Sequence, residues 1–99
     1  MTLDEFTASV VEPTPPRGLP LPLEAMWHDA RGDWDRAHKV AQDIANQTGA
    51  WIHAYLHRKE GDLGNAAYWY RNAGRPVAQG SLADEWTTIV HTLLETADL

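Results

Sequence analysis

Twice along the chain, 29 residues apart, a histidine is followed four residues later by Gly-Asp: His28 precedes Gly32-Asp33, and His57 precedes Gly61-Asp62. Glycine adopts the left-handed conformation that closes a helix, and aspartate caps the next helix by accepting from its free backbone N–H groups. Each Gly-Asp pair therefore marks a tight turn between two helices. The flanking segments repeat apolar side chains at three and four, and no alternating run is long enough for a strand, so the expected class is all-α.

The same reasoning sets the expected elements. Pro22, a favoured first-turn residue, opens a helix through Leu23, Ala25, Met26 and Trp27 to about Arg31. Asp33 caps a second, expected to bury Trp34, Ala37, Ala41, Ile44 and Ala45 and to run to Thr48-Gly49. A third spans Ala50 to Glu60 with Trp51, Ile52, Tyr55 and Leu56 inward. The fourth, Leu63 to Ala73, carries Leu63, Ala66, Ala67, Tyr70 and Ala73 as its stripe and is closed by Gly74 and Pro76. Ser81, with Asp84 three residues on, starts a last helix in which Leu82, Trp86, Ile89, Val90, Leu93, Leu94 and Ala97 share a face. Upstream, Thr2 and Glu5 are spaced as a capping box for a short helix within residues 1–12. Five prolines and a glycine between Pro13 and Pro22 then favour an extended arm. The expected organisation is an N-terminal segment and arm, residues 1–21, and one helical domain, residues 22–99, of about five helices: two related hairpins and a C-terminal capping helix.

Composition removes several functions. The absence of cysteine excludes a disulfide framework, a thiolate nucleophile and a cysteine zinc site, and it fits a reducing compartment. A formal charge of -6 without a basic block argues against double-stranded nucleic acid and against an anionic membrane surface. The acidic start MTLDEF lacks the basic and apolar regions of a signal peptide, and no run approaches the ~18 apolar residues of a membrane span; the expected location is the cytoplasm. Ser9 and Ser81 lack the glycine-flanked elbow of a hydrolase nucleophile, and Gly61-Asp62-Leu63-Gly64 is no phosphate loop.

Gly61-Asp62-Leu63, Ala66, Tyr70, Ala73 and Pro76 resemble the latter half of a tetratricopeptide or Sel1-like repeat, and the 29-residue offset extends the resemblance over about residues 24–76. The period is shorter than that family's, and the first helix of each pair lacks its Trp-x-x-Leu-Gly signature. The resemblance implies stacked antiparallel helix pairs and a peptide-binding scaffold. The stretch WIHAYLHRKEGDLGNAAYWYRNAGRP is also similar to short bacterial proteins, a resemblance that implies no function.

Chemistry concentrates in the histidines. The offset that aligns His28 with His57 also aligns Glu24 with His53, so each first helix carries two metal-ligand side chains at i and i+4, on one face. The repeat resemblance turns both pairs toward the second helix of their own hairpin, where His38 is a fifth ligand or a hydrogen-bond partner to one of them. One carboxylate and neutral imidazoles between facing helices match what zinc, iron or manganese accepts. The competing explanation is structural: each histidine donates a ring nitrogen to a carboxylate, with Glu24, Asp33, Glu60 and Asp62 in reach.

Tyr68, Trp69 and Tyr70 are consecutive on a helix and fan over about 200°, so not all three can enter one core. Tyr70 fits the stripe, which leaves Tyr68 and Trp69 for a homodimer seam or another protein. Arg58, Lys59, Arg71 and Arg75 form a local basic face able to hold a phosphate or carboxylate. The leading expectation is a non-enzymatic interaction module that associates with itself and needs no cofactor. The alternative is a metal-binding protein or small metalloenzyme using Glu24, His28, His53, His57 and His38. A third reading is a small-molecule binder lined by Trp51, Tyr55 and the histidines.

Overall fold

Polar side chains one residue upstream set five of the helix starts. In the computed structural model, which describes residues 1–97, Thr2 caps α1 (Leu3–Ser9) and Asp33 caps α3 (Trp34–Gln42), while α2 (Leu21–Ala30) begins with a proline in its first turn. Asn46 caps α4 (Gln47–Lys59), Asp62 caps α5 (Leu63–Ala73), and the Ser81 hydroxyl accepts from Asp84 N at the start of α6 (Leu82–Ala97). Every regular element among the described residues is a helix. The fold is all-α, and among the described residues no helix is long and apolar enough to cross a membrane.

The two Gly-Asp turns have one geometry. Gly32 and Gly61 take φ of 79° and 88°, and in each turn the aspartate N–H donates to the carbonyl of the histidine five residues earlier, at 3.0 Å. Both turns produce hairpins, α2–α3 and α4–α5. The helix α4 lies at the centre, with nine of its 13 residues buried and with α2, α3, α5 and α6 packed around it. Ile52, Ala54 and Leu56 meet Met26, Trp27, Ile89 and Val90 in the core. Each large side chain of this kind contributes about 1.5–3 kcal/mol when fully removed from water.

The junction between α3 and α4 differs from expectation. The second core helix ends at Gln42 rather than near Thr48-Gly49, and the next begins at Gln47 rather than Ala50. Asn46 supplies the reason, because its side chain accepts from Gly49 N at 3.1 Å and starts a new helix there. Gly49 is therefore not a terminator. It lets the first turn of α4 lie on the preceding loop, where a Cβ at this position would come within 2.0 Å of the Ile44 carbonyl oxygen. Ile44 packs against the core from outside any helix, and Ala45 is exposed. Leu63, expected in the apolar stripe, is 67% exposed because it sits in the first turn of α5, ahead of the buried row Ala66, Tyr70 and Ala73.

The N-terminal segment contributes to the core. Phe6 of α1 is fully buried and lies 5.9 Å from the Trp86 ring of α6. Trp27 Nε1 donates to Ser9 O at 3.3 Å, and the Arg31 guanidinium donates to the carbonyls of Val10 and Glu12, so the end of α1 is tied to α2.

Candidate metal centre

The i, i+4 spacing of His53 and His57 puts both on the face of α4 that turns to α3 and α5. From α3, His38 meets them edge-on, its ring centroid 4.9 Å from His53 and 5.3 Å from His57. One donor nitrogen from each of the three imidazoles lies within 4.8 Å of the other two. His53 and His57 are buried and His38 is partly so.

Two indoles wall this cluster. Trp34, one turn before His38, stacks on it at 4.9 Å with planes 9° apart and is fixed by donating Nε1–H to Leu56 O at 2.8 Å. On the other side Trp69 of α5 stacks on His53 at 4.3 Å. These flat apolar walls hold the His38 and His53 rings in orientation and keep water away from them, which favours the neutral form of those two.

The electrostatics follow. Burial pushes the His53 pKa down to about 4, with the neighbouring His38 and His57 adding to the effect. Burial also lowers His38, assisted by His57 and opposed by the carboxylates of Glu60 and Asp35. Neutral imidazole is the form that binds a metal. His57 Nδ1 lies 2.6 Å from Glu60 Oε1, an arrangement in which Nδ1–H donates to the carboxylate and Nε2 is left as the ligand atom. His53 Nδ1 is sealed from solvent and has no hydrogen-bond partner among the described residues. A buried polar atom left so is costly unless something else satisfies it.

Of the residues singled out in the sequence, the structure brings His38, His53 and His57 together. Glu24 and His28 lie apart from that group and face one another along α2, 3.6 Å between Oε1 and Nε2. Tyr68 is half-exposed, whereas Trp69 is partly buried against His53. Three of the four bases in the basic face have partners inside the molecule: Arg58 bonds to Glu85 and to the Gly80 carbonyl, Lys59 to Asp29, and the Arg75 guanidinium lies over the Trp51 ring. Arg71 is exposed.

Two buried carboxylates escape a motif-based reading of the sequence. Asp29, 2% exposed, accepts from Tyr55 OH at 2.7 Å and from Lys59 Nζ at 2.9 Å. Glu85 accepts from Tyr70 OH and from Arg58. The signal was present in both helices, since Asp29 falls one turn after the buried Ala25, and Glu85 falls between Leu82 and Ile89 on the apolar face of α6. Compared with known proteins, the chain matches no family model, no curated protein and no solved structure.

Proposed function

We propose that this protein binds one divalent transition-metal ion, zinc in the first instance, through His38, His53 and His57. The observation that carries the reading is the convergence of three imidazole nitrogens within 4.8 Å, from two helices, around a histidine with an unpartnered buried nitrogen. Zinc at about 2.0–2.1 Å from each nitrogen spaces them roughly 3.4 Å apart, so small rotations of the three rings close the set on an ion. An all-imidazole donor set suits zinc, copper, nickel or iron better than manganese, which prefers oxygen. Glu60 on His57 Nδ1 fixes the tautomer and the orientation of the ring. Three protein ligands leave a fourth position for water or a substrate, where zinc makes bound water acidic near neutral pH.

Within this reading the two hairpins are repeat-related units, and the matching turns at Gly32-Asp33 and Gly61-Asp62 support a tetratricopeptide-like pairing. Metal joins α3 to α4 across the junction between the pairs. Self-association has weaker support, from the half-exposed Tyr68, because Trp69 faces His53.

The test is elemental analysis and calorimetric zinc titration of tag-free protein, beside the His53→Ala/His57→Ala double variant and His38→Ala. One zinc per chain in the parent, lost in the double variant and weakened in His38→Ala, supports the site. A parent that stays metal-free after incubation with each ion overturns it.

A further inference from the structure

A second face of α4, away from the histidines, carries polar groups bonded to a buried carboxylate. Tyr55 is two residues from both His53 and His57, about 200° round the helix, and Lys59 follows it at i+4. This face turns to α2 and α6, where Asp29 Oδ2 accepts from Tyr55 OH and Oδ1 from Lys59 Nζ. The carboxylate is almost wholly buried and both oxygens are bonded, as a buried charge requires.

Directly beside this triad opens a cleft of about 510 Å³, walled by Val10 and Val11 after α1 and by Leu82 and Trp86 of α6. Its volume lies in the range of small-molecule sites, and its composition follows their pattern of mostly apolar walls with a few fixed polar groups. Val11 is 83% exposed, an apolar side chain at the rim that the described residues leave largely uncovered. The Lys59 ammonium has three donors, and its one hydrogen bond among the described residues goes to Asp29. Its side chain is 37% exposed, so the remaining donors are open to an incoming acceptor.

We propose that this cleft binds a small neutral molecule with an apolar body and one carbonyl or hydroxyl oxygen. The oxygen accepts from Lys59, and the body lies against Val11, Leu82 and Trp86. Neutrality follows from the charges. Asp29 cancels the ammonium at 2.9 Å, and the whole chain carries -6, so a carboxylate head gains little there. An apolar body without an acceptor would leave the ammonium facing hydrocarbon, at a desolvation cost. The proposal is independent of the histidine cluster, which lies on the opposite face of α4.

The probe is 4-phenylbutan-2-one, titrated into the full-length ¹⁵N-labelled protein while the Trp86 indole and Ala83 amide resonances are followed, with 4-phenylbutanoate as the charged counterpart. Expected are saturable shifts with a Kd near or below about 1 mM, and weaker binding of the carboxylate. Ala83→Phe, at an exposed position lining the cleft, fills it without touching the triad and should abolish binding. Lys59→Met should weaken the ketone roughly tenfold. Should Lys59→Met fail to fold, Ala83→Phe still decides the location. Absence of saturable shifts up to the solubility of the ketone, or unchanged binding in Ala83→Phe, overturns the site. Tighter binding of the carboxylate than of the ketone overturns the neutral ligand class.

Discussion

Trp69 lies flat on His53, with ring centroids 4.3 Å apart and planes 14° from parallel, so the most depressed histidine of the chain is covered by an indole from the neighbouring helix. That contact ties the aromatic fan of α5 to the histidine cluster of α4. Trp69→Ala should admit water beside His53 and move its pKa up toward the ordinary value, read by NMR titration of the ring protons in metal-free protein. An unchanged His53 titration would mean that the indole contributes nothing to its desolvation.

Glu60→Gln removes the charged acceptor on His57 Nδ1 while keeping its shape. Zinc affinity should fall about 10–100-fold, the usual effect of losing such a partner. Because the Glu60 side chain is 39% exposed, the unfolding midpoint of the metal-free protein should change little. Equal zinc affinity in the two proteins would remove Glu60 from the site.

Gly49→Ala should destabilise the fold, although glycine-to-alanine replacement in a helix is ordinarily favourable by about 1 kcal/mol in propensity alone. The new methyl would meet the Ile44 carbonyl, which is backbone and moves only with the loop. A net loss of about 1–3 kcal/mol in urea unfolding is expected, the scale of overpacking. A neutral or stabilised variant would show that residues 43–46 adjust freely.

Stability should also fall at alkaline pH. Burial raises the pKa of Tyr55, with Asp29 next in effect, and burial and Glu85 raise that of Tyr70. A folded-state value above the unfolded one near 10 means that the neutral ring is favoured in the fold. The contribution is fully present below pH ~10 and is lost as pH rises above it, at about 1.4 kcal/mol per pH unit for each tyrosine. Melting temperatures from pH 8 to 11.5 should show the decline, and Tyr70→Phe should make it shallower. A flat profile to pH 11.5 would refute the coupling.

Most helix boundaries marked by a cap or a terminating glycine are legible in the sequence, the start of α4 at the Asn46 cap being the exception. Thr2 with Glu5, Gly61-Asp62, Gly74 and Ser81 each act on their own neighbours, and local chemistry of that kind needs no knowledge of the fold. Gly49 resembles a helix terminator in the sequence, but its role is a close approach to the Ile44 carbonyl, a contact that exists only once the loop has turned back on α4.

The candidate site divides in the same way. That His53 and His57 share a face was fixed by helix periodicity, and so was the Glu24–His28 pair on α2. Which of these faces the third imidazole was not, because His38 reaches α4 through the angle between two hairpins, and that angle is set by packing of the whole core around Ile52, Leu56 and Ala37. The buried carboxylates Asp29 and Glu85 mark the same division. Sequence alone put charges on apolar stripes, but only tertiary structure supplied the tyrosine and the cation that make burying each of them tolerable.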